Sequence, residues 1–494
     1  ATLVFASGFL DPAANQGGPA FGLFAALADG TVVPLTAVGT ARGQVIHNAA
    51  DPAAATVDVY VNMLADTLVL NDFDFRTATP FVDLPSGYPI QIAIAGGNST
   101  GIGDAIATIP ATLMDGETYA IVANGVLDPA SFAANPDGAS TAFTLLLEGG
   151  VREAAANASD VDIKVLHGAT DAPSVGVNAN GNAVVPTASY TNFTGYLSVP
   201  DAEYRIDVTG ANAPATLVAP FYVDITGLDG GATLVFASGF LDPAANQGGP
   251  AFGLFAAFAD GTVAPLTPVG TARGQVIHNA ADPAAATVDI YVNMLADTLV
   301  LNDFNFRTAT PFVDLPTGYP IKIAVAGPNS TGIGDAIATI PATLMDGESY
   351  HLIANGVLNP AAFAANPDAI ATGFEIIAGA DAQEAAADPA NVDVRVFHGA
   401  TDAPTVDVLA SGNPTPIVDD APYRAFTGYL PLPPAAYTLV ITPGNDNSTT
   451  VATFLADVST LTGGAGIVLA TGFLDPAANQ DGAAFGLLLV LPDG

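Results

Sequence analysis

The chain has 494 residues, with 48 Asp and Glu against 10 Lys and Arg, a formal net charge of -38, and neither Cys nor Trp. That charge repels phosphate backbones and anionic head groups, which excludes nucleic-acid and membrane-surface binding as starting points, and the lack of Cys removes disulfide scaffolds, thiolate metal sites and cysteine nucleophiles. Hydrophobic residues make up 50% but charged residues only 12%, about half the ~25% of ordinary soluble domains, so much of this weakly polar surface is expected to be covered in the working state.

From its first residue, Ala rather than Met, the chain reads as a mature or excised segment, because Ala1 to Ser7 (ATLVFAS) has the pattern of a strand and not of a signal peptide. No run approaches the ~20 apolar residues of a spanning helix, so membrane insertion is not expected. Residues 1–119 align without a gap on 232–350 with ten substitutions, among them Leu27 to Phe258, Asp74 to Asn305, Gln91 to Lys322 and Gly97 to Pro328. Near-identity of this kind marks a duplication.

A weaker repeat halves that period. Four segments open alike, at 43–61, 161–177, 274–292 and 392–408, and five close alike, at 1–30, 119–149, 232–261, 350–379 and 465–494. Pairing them gives an orphan closing hairpin at 1–35 and four units: A1 at 40–149, B1 at 159–262, A2 at 271–380 and B2 at 390–494. The Ala-rich acidic runs Arg152 to Asp160 and Ala380 to Asn391 read as linkers.

Within a unit the pattern is β throughout. Val57 to Val61 and Val161 to Val165 alternate apolar and polar residues as half-buried strands do. Further strands in A1 are predicted at Thr67 to Leu70, Thr79 to Leu84, Ile90 to Ala95, Ala105 to Leu113, Tyr119 to Ala123 and Ala142 to Leu147, separated by turns such as Pro85-Ser86-Gly87 and Asp115-Gly116. Strands of this number and spacing predict an all-β fold of four tandem immunoglobulin-like β-sandwiches. A short helical turn is expected at Pro129 to Ala134.

Four of the five histidines, His47, His167, His278 and His398, stand in the four openings, each followed four residues later by Asp51, Asp171, Asp282 or Asp402. A metal or acid–base pair is one reading. The other is structural: Asp before Pro or Ala-Pro suits an Asx-turn, and a fold-defining turn must recur in every unit whereas an active site need not. The fifth, His351, replaces Ala120 of the near-identical copy, which argues against catalysis. The opening His398-Gly399-Ala400-Thr401-Asp402-Ala403-Pro404-Thr405-Val406-Asp407-Val408 resembles a family of bacterial secreted β-sandwich domains of unassigned function that often occur in tandem. The resemblance covers all four units, the A units with a longer turn. It implies export, the fold and the tandem arrangement, and brings no catalytic residues.

No nucleophile elbow, zinc helix, phosphate loop or dinucleotide fingerprint is present, so no enzyme and no cofactor are expected. The loops Asp11 to Gln16, Asn71 to Asp74 and Asn445 to Asn447 offer oxygens for Ca²⁺ without the pattern of a known calcium loop. Asn-x-Ser/Thr triplets at Asn98, Asn157, Asn192, Asn329 and Asn447 permit glycosylation.

Two functions from different classes fit this sequence. The first is a structural subunit of an extracellular bacterial filament, sheath or surface layer, its partner being itself, head to tail. Near-identical tandem sandwiches build stiff stalks, and an isolated hairpin as apolar as Leu3, Val4, Phe5, Phe9, Phe21, Leu23 and Phe24 needs a neighbouring sheet. β-strand addition or exchange between subunits would supply one; a chain continuing upstream through another B opening would do the same. The second function is an adhesin or carbohydrate-binding stalk, held to a cell surface or a glycan through exposed aromatics such as Tyr88, Tyr190, Tyr319 and Tyr429.

Overall fold

In this computed structural model residues 2–62, 66–293, 297–410 and 413–494 are described, and Ala1 of the predicted first strand lies outside them. They form two compact units, Ala1–Pro268 and Val269–Gly494. Every described element is a strand or a single 3-10 turn.

The first unit begins with a small antiparallel sheet, β1 (Leu3–Ser7), β2 (Gly22–Ala26) and β3 (Val32–Pro34), in that order. The A1 sandwich follows. Its first sheet runs β11-β10-β4-β7 and its second β6-β5-β8-β9, built from β4 (Gly39–His47), β5 (Thr56–Asn62), β6 (Asp66–Asp74), β7 (Val82–Ser86), β8 (Pro89–Gly96), β9 (Ala105–Thr112), β10 (Thr118–Asn124) and β11 (Thr144–Gly149). The opening strand β4 lies parallel to β10, and that pairing joins the start of the domain to its close.

B1 repeats this plan. Its strands are β12 (Asp160–Leu166), β13 (Val175–Ala179), β14 (Asn182–Ala188), β15 (Leu197–Pro200), β16 (Glu203–Gly210), β17 (Ala213–Asp224), β18 (Ala232–Ser238), β19 (Gly253–Phe258), β20 (Val263–Pro265) and β21 (Thr267–Pro268). They make the sheets β15-β12-β18-β19-β20 and β14-β13-β16-β17-β21, with β12 parallel to β18. Sheet H-bonding thus reaches residue 268 where the sequence suggested 262. The second unit holds two further sandwiches of the same order, with Thr271–His278 parallel to Ser349–Asn355 and Val392–His398 parallel to Ala465–Thr471.

The all-β tandem sandwich is therefore as the alternation predicts, and the helical turn near Pro129 is a 3-10 turn at Pro129–Ser131. The immunoglobulin comparison rests on strand count and turn spacing only. Here the first, fourth, seventh and eighth strands of A1 share one sheet, whereas the constant-type immunoglobulin partition is ABED against CFG.

Alternation predicted half-buried strands, yet β5 and β12 are covered on both faces. Val57 and Val59 face the A1 core beside Ile90, Ile92 and Ile94. On the reverse face Tyr60 packs against Ala93 and Ala95, and buried Asp58 accepts hydrogen bonds from the Ser99 hydroxyl and, at 2.9 Å, the Asp72 amide. A carboxylate tolerates such a place only because its acceptors are satisfied.

On β12 the cover comes from A1 itself. Ile46, Ala120 and Val122 of the first A1 sheet share one core with Leu166, Leu234, Phe236 and Ala257 of the first B1 sheet. Within the first unit, then, A1 and B1 pack sheet against sheet and are not separate beads. The Arg152 to Asp160 run, expected to be a linker, is a pinned strap: Glu153 is paired with Arg42 at 2.7 Å, Ala155 N donates to Gly230 O, and buried Asp162 accepts from Arg152, Ala156 N and Ser198.

Candidate functional site

The repeated histidines are buried, and each imidazole spans its own opening turn. Nε2–H donates to the carbonyl of Ala54, Pro173, Ala285 or Pro404 at 2.8, 2.9, 2.8 and 3.0 Å. Burial holds all four pKa values below the usual 6.5, which keeps the ring neutral and fixes the donor.

The aspartates reach further than a local turn. In A1, Asp51 accepts from Ala53 N at 2.9 Å, capping the 3-10 turn, and from Leu127 N at 2.8 Å in the closing loop. In B1, Asp171 accepts from Leu241 N, Asp242 N and the Asn246 amide, each at 3.0 Å. Asp282 and Asp402 repeat the two patterns in the second unit. His and Asp are therefore not paired with each other; the Asp clamps the opening of its domain to the close. Asp51→Ala orphans two backbone N–H groups and is expected to cost about 1–3 kcal/mol in urea unfolding; a loss below ~0.5 kcal/mol would show that the clamp is dispensable.

A hydrogen-bond chain from A1 to B1 was not found from sequence. Asn48 donates to Asn124 and to Ala237 O, and Asn124 donates to the Tyr190 hydroxyl. Asn48 fits because its B1 counterpart is Gly168, where a Cβ would stand 2.1 Å from the Asn48 amide nitrogen. The signal was present as His-Asn in both A openings against His-Gly in both B openings. Arg76 crosses the same interface to Ser238 and Ala251 O, with its guanidinium 4.1 Å from the Phe255 ring centre, and burial lowers its pKa to about 10.

The N-terminal sheet supplies the sharpest contrast. Residues 1–26 are identical to 232–257, but Leu3 is 66% exposed where Leu234 is 6%, Phe9 43% where Phe240 is 0%, and Leu23 42% where Leu254 is 6%. Val4 and Phe21 are also exposed, while Phe5 and Phe24 are half-buried against each other at 5.6 Å. β1 forms the edge of its sheet, whereas its twin β18 is paired in parallel with β12. Among the described residues no carboxylate stands over the Leu10 and Asp11 amides as Asp171 stands over Leu241 and Asp242.

The other candidates are accounted for locally. Tyr190 and Tyr319 are buried and Tyr88 is half-buried against the A1 core; the half-buried Tyr429 accepts from Gln383 N. None offers an exposed ring. Among the described residues no three His, Asp or Glu side chains gather as a metal would require. Asp446 accepts from Ser448 and Thr449 in its own loop, and Thr56 donates to Asp74 as Thr287 does to Asn305, so an amide fills the same place. All five Asn-x-Ser/Thr asparagines are exposed.

Comparison with known proteins places three of the four openings, with much of the closings that follow them, in one family. The family described as Domain of unknown function (DUF4397) matches residues 161–245, 274–374 and 392–481, more than half of the chain. The chain belongs to this family. Each DUF4397 match contains an opening His, its clamping Asp and the closing loop that the Asp holds in the structure. No curated protein matches the chain. Among solved structures, the Bacillus anthracis TIE protein is 10% identical over 91% of this chain and 70% of its own, with a TM-score of 0.13. A streptococcal virulence factor described as binding alpha-glucan is 9% identical over 40% of this chain and 92% of its own, TM-score 0.14. The pilus adhesin SpaC of Lactobacillus rhamnosus GG is 13% identical over 67% and 45%, TM-score 0.11. Scores this low carry no argument about the DUF4397 domains here. Among the described residues no helix is long and apolar enough to cross a membrane.

Proposed function

We propose that the chain is a structural subunit of an extracellular bacterial filament, sheath or surface layer, its copies joined head to tail through β-strand addition or exchange of the N-terminal sheet. One observation carries the reading: the same 26 residues occur twice, with Leu234, Phe236, Phe240 and Leu254 buried in the second copy and Leu3, Phe9 and Leu23 exposed in the first. The buried copy specifies what the exposed one lacks. Among the described residues none supplies a parallel B-type opening strand at the β1 edge, an Asp over the Leu10 and Asp11 amides, or an apolar sheet against Leu3 and Phe5. A contact between two different surfaces does not close on itself, so it propagates, and the net charge keeps the outside of such a fibre hydrated.

Negative-stain microscopy of the full chain tests this directly. Filaments or end-to-end oligomers are expected, and deletion of residues 1–35 should reduce them to single particles. Discrete particles from the intact chain under all conditions, or filaments that persist unchanged after the deletion, would reject the proposal.

A further inference from the structure

The two sheets of B1 meet in a core that includes Val208, Phe221, Leu254 and Ala256, but they do not fill all the space between them. They enclose a cavity of about 360 Å³, and B2 has one of about 250 Å³ in the same place. An apolar cavity of ~150 Å³ already suffices to bind benzene; both cavities exceed that, and the one in B1 also exceeds the ~300 Å³ at which pockets for drug-sized ligands begin. In A1 Phe73, Tyr88 and Phe143 pack against the buried cluster of Val57, Val59, Ile90, Ile92 and Ile94.

The walls in B1 include Ile163, Val165, Val177, Ile206, Val235 and Leu254, and their B2 counterparts Val394, Val396, Val408, Leu439, Val468 and Leu487 are aliphatic at every position. The lining follows β12 from Val161 to His167, about 20 Å at ~3.3 Å per residue, which suits an extended chain better than a compact ring. Apolar residues stay exposed where the lining meets solvent: Leu241 and Val218 are 40% and 41% exposed, and the matching Leu474 and Val451 are 38% and 41%. His167 and His398 line the two cavities. In each, Nε2–H is spent on the Pro173 or Pro404 carbonyl while Nδ1 is buried without a partner among the described residues. The A-domain counterpart, His47 Nδ1, accepts from Ala49 N at 3.4 Å. A hydroxyl is the neutral group that donates to an acceptor of this kind. Asp224 and Asp457 also line the cavities and are exposed, which disfavours an anionic head group.

We propose that each B domain binds one neutral long-chain alcohol in the cavity between its sheets. This site is independent of the assembly surface on residues 1–35. Native mass spectrometry of the full chain with 1-dodecanol is expected to show two bound molecules, one after Val177→Phe, and none after Val177→Phe with Val408→Phe. Dodecanoate at pH 8 should bind at least tenfold more weakly. Circular dichroism establishes that the variants fold; should Val177→Phe fail to, the smaller Ala188→Val on the same wall is expected to weaken B1 binding at least tenfold. The proposal is overturned if the wild-type chain binds no dodecanol, if folded variants keep both molecules, or if dodecanoate binds equally well.

Discussion

Phe236→Ala is expected to lower the stability of the first unit by about 3–5 kcal/mol, the usual cost of emptying a well-packed Phe site, whereas Phe5→Ala, inside an identical 26-residue stretch, should change it by less than ~0.5 kcal/mol in dilute solution. Phe236 is fully buried where the A1 and B1 sheets meet and stacks on Phe255 at 5.9 Å. Phe5 touches Phe24 at 5.6 Å within a sheet whose other large side chains stand in solvent. Sequence and hairpin pairing are the same, so the difference reports the parallel partner strand and the packed sheet that only the second copy has. Urea unfolding of the full chain, followed at concentrations below assembly, measures both variants. Equal losses would mean that the N-terminal sheet is packed as its twin is, and the assembly reading would fall with that result. If the sheet does join subunits, Phe5→Ala should instead weaken assembly, which microscopy reads separately.

The second large effect is on acid stability. His351 is buried, and desolvation, with a smaller contribution from the nearby Arg395 charge, lowers its pKa from 6.5 to about 4. A base with a depressed folded pKa is protonated first in the unfolded chain. Its contribution is therefore complete above pH ~6.5 and is lost as pH falls towards 4, by about 3 kcal/mol over that window. His351→Ala, the residue its twin Ala120 already carries, removes this proton-binding difference. The variant should lose some packing at pH 8 yet show a flatter decline between pH 6.5 and 4, by about 3 kcal/mol, in chemical denaturation of the second unit. An unchanged slope would show that His351 is hydrated or already protonated in the folded protein. Below pH 4 both proteins should weaken together. At Asp162 burial is the largest influence and raises the pKa, but the Ser198 hydroxyl, Ala156 amide and Arg152 outweigh it and the net shift is downward. A depressed carboxylate loses its contribution only as pH falls through that lowered value.

The neighbourhood of His351 also shows how near-identical halves diverge at one interface. In the first unit Lys164 is paired with Glu148. In the second, Gly379 takes the place of Glu148, and Arg395 donates instead to the carbonyls of Ala380, at 2.6 Å, and Thr427, with its guanidinium 4.6 Å from the Phe426 ring centre. Arg can satisfy itself on backbone oxygens and an aromatic face where Lys needs a compact counter-charge.

Alternation, turn residues and internal repetition were enough to read strands, sandwiches and the opening and closing segments, since those properties are written in neighbouring residues. The recurrence of the His and Asp turn was legible as well, but the reach of Asp51 to Leu127 and of Asp171 to Leu241 was not, because those partners are 76 and 70 residues away. Whether Asp162 faces water or a partner sheet, whether a linker hangs free or is pinned by Arg42, and whether the B sheets fill the space between them depend on what covers each face. Residues 1–26 and 232–257 state the division: one sequence determines one local sheet, and only the surrounding tertiary structure decides whether that sheet is core or surface, because burial is a property of neighbours and not of the residues buried.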